Sequence, residues 1–515
     1  MELFGESLTF GAGFFLLLAL ALALAFEFVN GFHDTANAVA TVIYTNTLKP
    51  IVAVVWAGVW NLFGALGAVA WALGFFGVIV GGSAVAYNIV ALLPVELVLN
   101  SGSGAGFAMI FALLVSAILW NVGTWYLGLP ASSSHTLIGS IMGVGVANAM
   151  MAGHGWMAGI NWEQATKIGM ALFWSPIVGF VGAGLLLLLL KLLVRRADLY
   201  KAPEGKTPPP LWIRCVLVIT CTLVSVFHGS NDAQKGMGLI MLILIGIVPG
   251  AFALNMGADP KAVQSAAAEM KQVVGVFTPL ANGVTMTKDD AIKELSAFVK
   301  PGGHKATEQT FAAIALEAQA ISDTLANLPD FNAVPHDART ALRTDIYLVD
   351  EGMGKVLKAK GADGKGLISD KDAVSTIKKS KGDLDNISKY IPMWVKIMVA
   401  FALGCGTMIG WKRIVVTVGE KIGKSHLTYA QGASAEFMAA STIALADFMG
   451  YPVSTTHVLS SGIAGTMAAN RSGLQKDTLI SILMAWVLTL PVCIFLGATL
   501  FAAGLYVTFH VFGIQ

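Results

Sequence analysis

The chain has 515 residues, 56% of them hydrophobic and 12% charged, with a mean hydropathy of +0.71 and a formal net charge of +2. A soluble domain carries about 25% charged residues, so most of this surface cannot face water. The near-neutral balance singles out no partner, and nucleic acid is not expected to be one.

In chain order the long apolar runs are Phe10–Phe28, Ile51–Trp71, Phe107–Trp125, Ala171–Leu193, Ile391–Ile409 and Ile480–Phe501. Each is long enough to cross hydrocarbon, which takes roughly 20 apolar residues. They are continuous rather than alternating, and backbone groups in lipid must pair internally, so they predict helices and not barrel strands. With the weaker windows included, the expectation is about ten to twelve spans. The first residues hold Glu2 and Glu6 but no Lys or Arg, and no small-residue cleavage pattern follows. This predicts a first span with its leading end outside, not a removable signal. Cys215, Cys221, Cys405 and Cys493 form no CxxC or Cys/His cluster. They are expected to be small buried hydrophobes, with no disulfide framework and no fixed structural metal site.

Two motifs occur twice. Asn30-Gly31-Phe32-His33-Asp34-Thr35-Ala36-Asn37 matches His228-Gly229-Ser230-Asn231-Asp232-Ala233-Gln234-Lys235, and Pro130-Ala131-Ser132-Ser133-Ser134-His135-Thr136 matches Pro452-Val453-Ser454-Thr455-Thr456-His457-Val458. Gly143 and Gly465 extend the second pair. The first-half motifs lie 101 positions apart and the second-half motifs 225, an excess of 124. A polar stretch of about that size, from roughly Asn255 to Tyr390, interrupts the second half, with helical spacing in Phe311–Leu328 and Ala341–Leu357. The predicted organisation is a first membrane repeat over 1–200, the start of a second over 201–255, a polar helical insert over 256–390 and the rest of the second repeat over 391–515. Duplicated membrane units place their site on interrupted helices near the midplane. Asn30-Gly31 and His228-Gly229 are expected to break two apolar runs, and Pro130 and Pro452 to open two more.

The acids come first among the candidate site residues. Asp34 and Asp232 sit in apolar surroundings where a charge costs at least roughly 2.5–3.5 kcal/mol. Glu27, seven residues before Asp34, shares its helical face, and Glu436 leads into the second hydroxyl cluster. A structural ion pair of Asp232 with Lys235 at i+3 is the alternative reading for that acid. Ser132, Ser133, Ser134 and Thr136, with Ser454, Thr455 and Thr456, follow prolines and suit helix N-termini, where free N–H groups attract anions. Their alternative is capping, or bonding back to their own helix. A carboxylate beside an oxyanion repels it unless a cation intervenes or the acid is protonated. The repeated unit therefore predicts co-binding of an anion and a cation, which is symport. His135 and His457 are expected to hydrogen-bond across helices. His33 adjoins Asp34 and titrates near neutral pH, which suits it to proton movement.

These motifs, in the stretches Asn30–Thr45, Trp120–Gly143, Phe227–Gly238, Gly404–Gly423 and Pro452–Met467, closely resemble the inorganic phosphate transporter (PiT) family, and within it the bacterial low-affinity permeases. The resemblance implies an all-α polytopic membrane protein of the bacterial inner membrane, with two inverted repeats, interrupted or re-entrant helices and a central site. It implies phosphate import driven by protons, with sodium as the alternative, with metal–phosphate complexes also carried and arsenate as an analogue. The substrate-binding residues it implies are Asp34, Asn37, Ser132, Ser133, Ser134, Thr136, Asp232, Gln234, Lys235, Ser454, Thr455 and Thr456. The cation-coupling residues are Glu27, His33, Asp34, Asn231, Asp232 and Glu436. Relatives carry Gly-x-Asn-Asp in both halves; here the second half keeps Asn231-Asp232 and the first has His33-Asp34, which favours a proton over sodium. Asn61 stands where many animal relatives have an acid. No resident cofactor is expected, the bilayer is the medium, and a homo-oligomer stays open.

The rivals are an ion pore, a carrier of sulfate or another tetrahedral oxyanion, and a membrane enzyme using Ser133, His135 and Asp34. The last lacks a G-x-S-x-G elbow, and residues at i and i+2 of a helix point apart. The insert reads as a regulatory or partner-binding module; its Asp363-Gly364-Lys365-Gly366 turn lacks calcium-loop spacing. Lys191, Arg195, Arg196, Lys201 and Lys206 argue for a cytoplasmic loop, and Lys412, Arg413, Lys421 and Lys424 for another. Ile391–Ile409 separates the second from the insert, so either that segment lies along the interface, which is favoured, or the insert faces outside.

Overall fold

The computed structural model describes residues 1–67, 83–93, 103–203, 205, 207–300, 303–360 and 366–510. The end of the Ile51–Trp71 run, Lys206 and Asp363 to Lys365 of the predicted turn lie outside them. Within the described residues the chain is nearly all helix. In order these are α1 Phe10–Asp34, α2 Ala36–Tyr44, α3 Pro50–Leu66, α4 Ala84–Val90, α5 Gly104–Tyr126, α6 Ser133–Met151, α7 Trp162–Leu193 and α8 Leu211–Ile247. Next come α9 Pro260–Leu280, α10 Lys288–Val299, α11 Glu308–Ala326, α12 Arg339–Lys358 and α13 Lys371–Ser388. The last five are α14 Met393–Thr407, α15 Lys412–Glu420, α16 Tyr429–Phe448, α17 Thr455–Ala469 and α18 Lys476–His510.

Among the described residues five segments are long and apolar enough to span a bilayer: α1 with α2, α5, α7, α8 and α18. The pair α13–α14 qualifies only jointly, across a 77° bend. The sequence expectation of more spans counts helices that fall outside this set. One is α3, with 17 residues, which carries the start of the Ile51–Trp71 run. On α7 and α18 the outward side chains are large and apolar: Phe173 is 60% exposed, Leu192 66%, Val487 67% and Phe495 66%. In water such a surface would aggregate; against lipid tails it is the stable exterior. Of the cysteines, Cys221 and Cys493 are buried as expected, but Cys215 is exposed on α8 beside Leu211, Trp212 and Val216, which are themselves exposed.

The chain divides into two compact units. One contains Met241–Tyr390, where α9 to α13 enclose a core that includes Phe277, Phe298, Ile314, Ile346 and Leu384. The helical spacing read in Phe311–Leu328 and Ala341–Leu357 corresponds to α11 and α12. Side chains define the helix starts: Thr307 and Thr310 form a capping box on α11, and Asp370 caps α13. Within this bundle Glu317 is buried, and neither carboxylate oxygen is hydrogen-bonded by any of the described residues. Burial, then the charge of Asp345, push its pKa from 4.5 up to about 7, with Lys288 opposing. The folded chain thus holds this proton more tightly than the unfolded chain does. Its contribution is intact below 4.5 and is lost as pH rises to about 7. Thermal unfolding of the whole protein in detergent should show Tm falling across that window, and Glu317→Gln should flatten the fall.

The other unit spans Leu17–Leu93, Phe107–Ile240 and Ile391–Gln515. Its packing is reciprocal between the two copies. The first hydroxyl helix, α6, lies on α18, and the second, α17, lies on α7; each rests on the long helix that follows its counterpart. The matched glycines behave alike. A Cβ on Gly31 of α1 would sit 2.2 Å from the Leu403 carbonyl oxygen of α14. One on Gly229 of α8 would sit 2.1 Å from the Asn61 carbonyl oxygen of α3. These glycines do not break their helices, contrary to the sequence expectation: α1 continues to Asp34 and α8 runs unbroken past His228-Gly229. Their lack of a side chain serves close helix approach, which leaves the intrahelical hydrogen bonds in place. The first-half interruption falls later, at Thr35, whose hydroxyl donates to the carbonyls of Gly31 (2.8 Å) and Thr407 (3.0 Å). Pro130 and Pro452 do precede new helices, capped by Ser132 and Ser454.

The two basic loops both contact the turn at 470–475. Lys191 donates to Asn470 at 2.5 Å, the Lys424 amide to Gly473 O at 3.1 Å, and the Gln475 amide to Ile422 O at 3.0 Å. Between α14 and this loop, α15 is a nine-residue helix packed on α2. A helix that short does not cross a bilayer, so Lys191 and Lys424 can share a side.

Candidate functional site

Asp34 stands at the C-terminus of α1 and Asp232 in the middle of α8; the first turn of α6 reaches both and that of α17 reaches Asp34. The two carboxylates are 2% and 0% exposed. Asp34 Oδ1 meets His33 Nδ1 at 2.9 Å and accepts from Thr456 at 3.0 Å. Its Oδ2 accepts from Thr455 at 3.2 Å and Ser133 at 3.3 Å. Ser133 also reaches Asp232 Oδ2, at 3.5 Å. His228 Nε2 lies between the acids, 3.7 Å from Asp34 and 3.4 Å from Asp232. Lys235 Nζ pairs with Asp232 Oδ1 at 2.7 Å, so the ion pair weighed as the alternative for this acid is formed. Asn37 donates to both Thr455 and Thr456 at 3.0 Å, and Thr124 holds the far nitrogen of His33 at 3.1 Å.

Of the seven hydroxyls singled out in sequence, three face this cage: Ser133, Thr455 and Thr456. The other four bond to the framework. Ser132 and Ser454 accept from the amides of His135 and His457 as N-caps. Thr136 donates back to Ser132 O at 2.9 Å, and Ser134 to Val453 O at 2.7 Å. Asn231 also turns from the cage, donating to Tyr451 O at 3.1 Å and accepting from the Val453 amide at 3.5 Å. Gln234 bridges Asp447 (2.7 Å), Ser230 O (3.1 Å) and the Val85 amide (3.0 Å). Both tie α8 to the segment that delivers Thr455 and Thr456. Glu27 is buried against Gly236, with Asn30 3.5 Å from one of its oxygens. Glu436 takes hydroxyl hydrogen bonds from Thr41 and Thr220.

His135 and His457 do not hydrogen-bond across helices as expected. Their rings pack at 4.7 Å, His457 stacks on Trp486 at 4.0 Å, and His135 Nδ1 and His457 Nε2 have no hydrogen-bond partner among the described residues. With His135 turned to that stack, Ser133, His135 and Asp34 form no triad. Sequence reasoning missed two members of the site. His228 lies four residues before Asp232, a spacing that places both on one helical face. Asp447 accepts from Ser230 at 2.5 Å, and as an acid within an apolar helix it met the same criterion as Glu436.

The chemistry follows from the donor set. Hydroxyls both donate and accept, so Ser133, Thr455 and Thr456 can point to Asp34 or turn toward another oxyanion. Asp34, His228 and Asp232 also place three ligand atoms within 4.8 Å of one another, a grouping that can hold a cation.

Rotatable hydroxyls around buried acids, where two matched sets of helices meet in a lipid-facing bundle, define an integral membrane transporter. A model of the PHO4 phosphate transporter family matches residues 30–497, and the chain belongs to that family. It is 42% identical over 508 residues to the low-affinity inorganic phosphate transporter PitB of Escherichia coli (strain K12), covering 95% of this chain and 96% of that one. A low-affinity inorganic phosphate transporter of Buchnera aphidicola subsp. Acyrthosiphon pisum is 39% identical, with 95% and 96% covered. These relatives are transporters, not enzymes. Among solved structures, a sodium-dependent phosphate transporter shares the fold with a TM-score of 0.50 at 19% identity, covering 95% of this chain and 98% of its own.

Proposed function

We propose that the protein imports inorganic phosphate across the bacterial inner membrane by symport with a proton, using two inverted repeats that rock around the cage. The observation that carries this is the pair of buried acids, Asp34 and Asp232, joined through Ser133 and His228. Phosphate is repelled from such a place until positive charge arrives with it. A proton is favoured because an imidazole, His33, sits on Asp34 where relatives have a neutral amide oxygen suited to sodium. Ser133, Thr455, Thr456 and the helix starts behind them then bind the oxyanion, with Asn37 orienting the two threonines.

Labelled phosphate uptake into liposomes under separate proton and sodium gradients tests this reading. Accumulation should follow the proton gradient; uptake that ignores it and follows sodium would reverse the coupling assignment. Counterflow of labelled phosphate separates a carrier from a pore, and competition by sulfate tests the anion.

A second reading concerns the cargo. The Asp34, His228 and Asp232 grouping suits a divalent metal arriving as a metal–phosphate complex. Uptake of the metal in step with phosphate would support it.

A further inference from the structure

The two halves of the cage solve the same charge problem differently. In the eight-residue motif the fourth, fifth and eighth residues are His33, Asp34 and Asn37 in one copy and Asn231, Asp232 and Lys235 in the other. The basic group has therefore changed place. In the first half it is an imidazole on Asp34, and the eighth residue is a neutral amide that holds Thr455 and Thr456. In the second half the fourth residue is the neutral one, bonded to Tyr451 and Val453, and the eighth is an ammonium. Lys235 is fully buried, with Nζ 2.7 Å from Asp232 Oδ1.

We propose that Lys235 is a built-in counter-ion occupying the place of a coupling cation beside Asp232, so that the second half of the unit draws none from solution. This rests on the cation-coupled reading above and deepens it. A buried carboxylate needs a nearby positive charge, and Lys235 supplies one on a covalent tether. Among the described residues no tethered ammonium contacts Asp34, so the first half is where a mobile cation enters and leaves. Lys235 is thereby assigned to balancing charge rather than to gripping phosphate.

The discriminating variant is Lys235→Asn, which gives the second half the residue of the first. In proteoliposomes the reversal potential under set phosphate and cation gradients gives the charge moved per phosphate. That charge should rise by one elementary charge in Lys235→Asn and stay unchanged in Lys235→Arg. In detergent, sodium or lithium should raise the Tm of Lys235→Asn but not of the parent. Should Lys235→Asn fold poorly, purification in high sodium should restore the folded yield. No rescue by either cation, or an unchanged charge per phosphate with no new cation sensitivity, overturns the proposal. Should the parent itself respond to no cation gradient, the symport reading fails instead, so the two failures are separable.

Discussion

Asp34→Asn should abolish phosphate accumulation, by roughly 100-fold or more, while the protein still inserts and folds. Asp34 accepts three hydroxyl hydrogen bonds and touches two imidazoles. Asparagine keeps an oxygen that can accept from these hydroxyls but removes the charge that a co-bound cation answers, and a buried cation left without its carboxylate costs about 3–5 kcal/mol, enough for that factor. Asp232→Asn should abolish accumulation equally but fail differently. It leaves the Lys235 ammonium buried without its carboxylate, and breaking a buried pair costs about 3–5 kcal/mol. Uptake per inserted molecule, measured together with Tm, separates the two. Asp34→Asn should lose transport at nearly unchanged Tm, Asp232→Asn should lose both, and Asp232→Asn with Lys235→Met should recover Tm alone. Undiminished accumulation in both single variants would show that these acids are structural.

Gly229→Ala should lower Tm and uptake together, although alanine is the better helix former by about 0.8–1 kcal/mol. The added methyl would sit 2.1 Å from the Asn61 carbonyl oxygen, 2.8 Å from its carbon and 2.8 Å from its Cα. Backbone on both sides cannot yield as a flexible side chain would, so α8 and α3 must move apart. Overpacking of this kind costs about 1–3 kcal/mol, more than the propensity gain. The shift also reaches the cage, because His228 precedes Gly229 and bonds Asn61 Oδ1 at 3.1 Å. Gly31→Ala should behave alike against Leu403. Gly169→Ala on α7, where a Cβ meets nothing within 4 Å, is the control and should hold or raise Tm.

Much of the site was legible in the sequence because charge inside an apolar run has few explanations. Asp34 and Asp232 were singled out on that ground and by their repeated motif, Glu27 and Glu436 by their places relative to the motifs, and all four are buried. Duplication made the hydroxyl clusters conspicuous, and the prolines before them marked real helix starts. Capping and cage-facing hydroxyls could not be sorted in advance. Ser132 and Ser133 are adjacent and chemically identical, yet one caps α6 and the other bridges two acids. The difference is a backbone rotation at the helix start, and composition carries no trace of it. Gly31 and Gly229 were misread for a related reason. A glycine permits either a break or a close approach, and only the opposing carbonyl decides which.

By itself the sequence determined that this chain lives in lipid, carries two motifs twice each, and places acids beside helix starts rich in hydroxyls. Local composition and internal repetition suffice for that, because the bilayer leaves backbone and charge so few options. Only the tertiary structure decided that the two acids share one cage, with His228 between them. Lys235 meets Asp232, His33 meets Asp34 and His228 stands between them, because α1 and α8 are drawn together with the opening turns of α6 and α17. Three of these pairings are between near neighbours in sequence, but the approach of His228 to Asp34 joins two different helices, and that distance of a few ångströms exists only once they have packed.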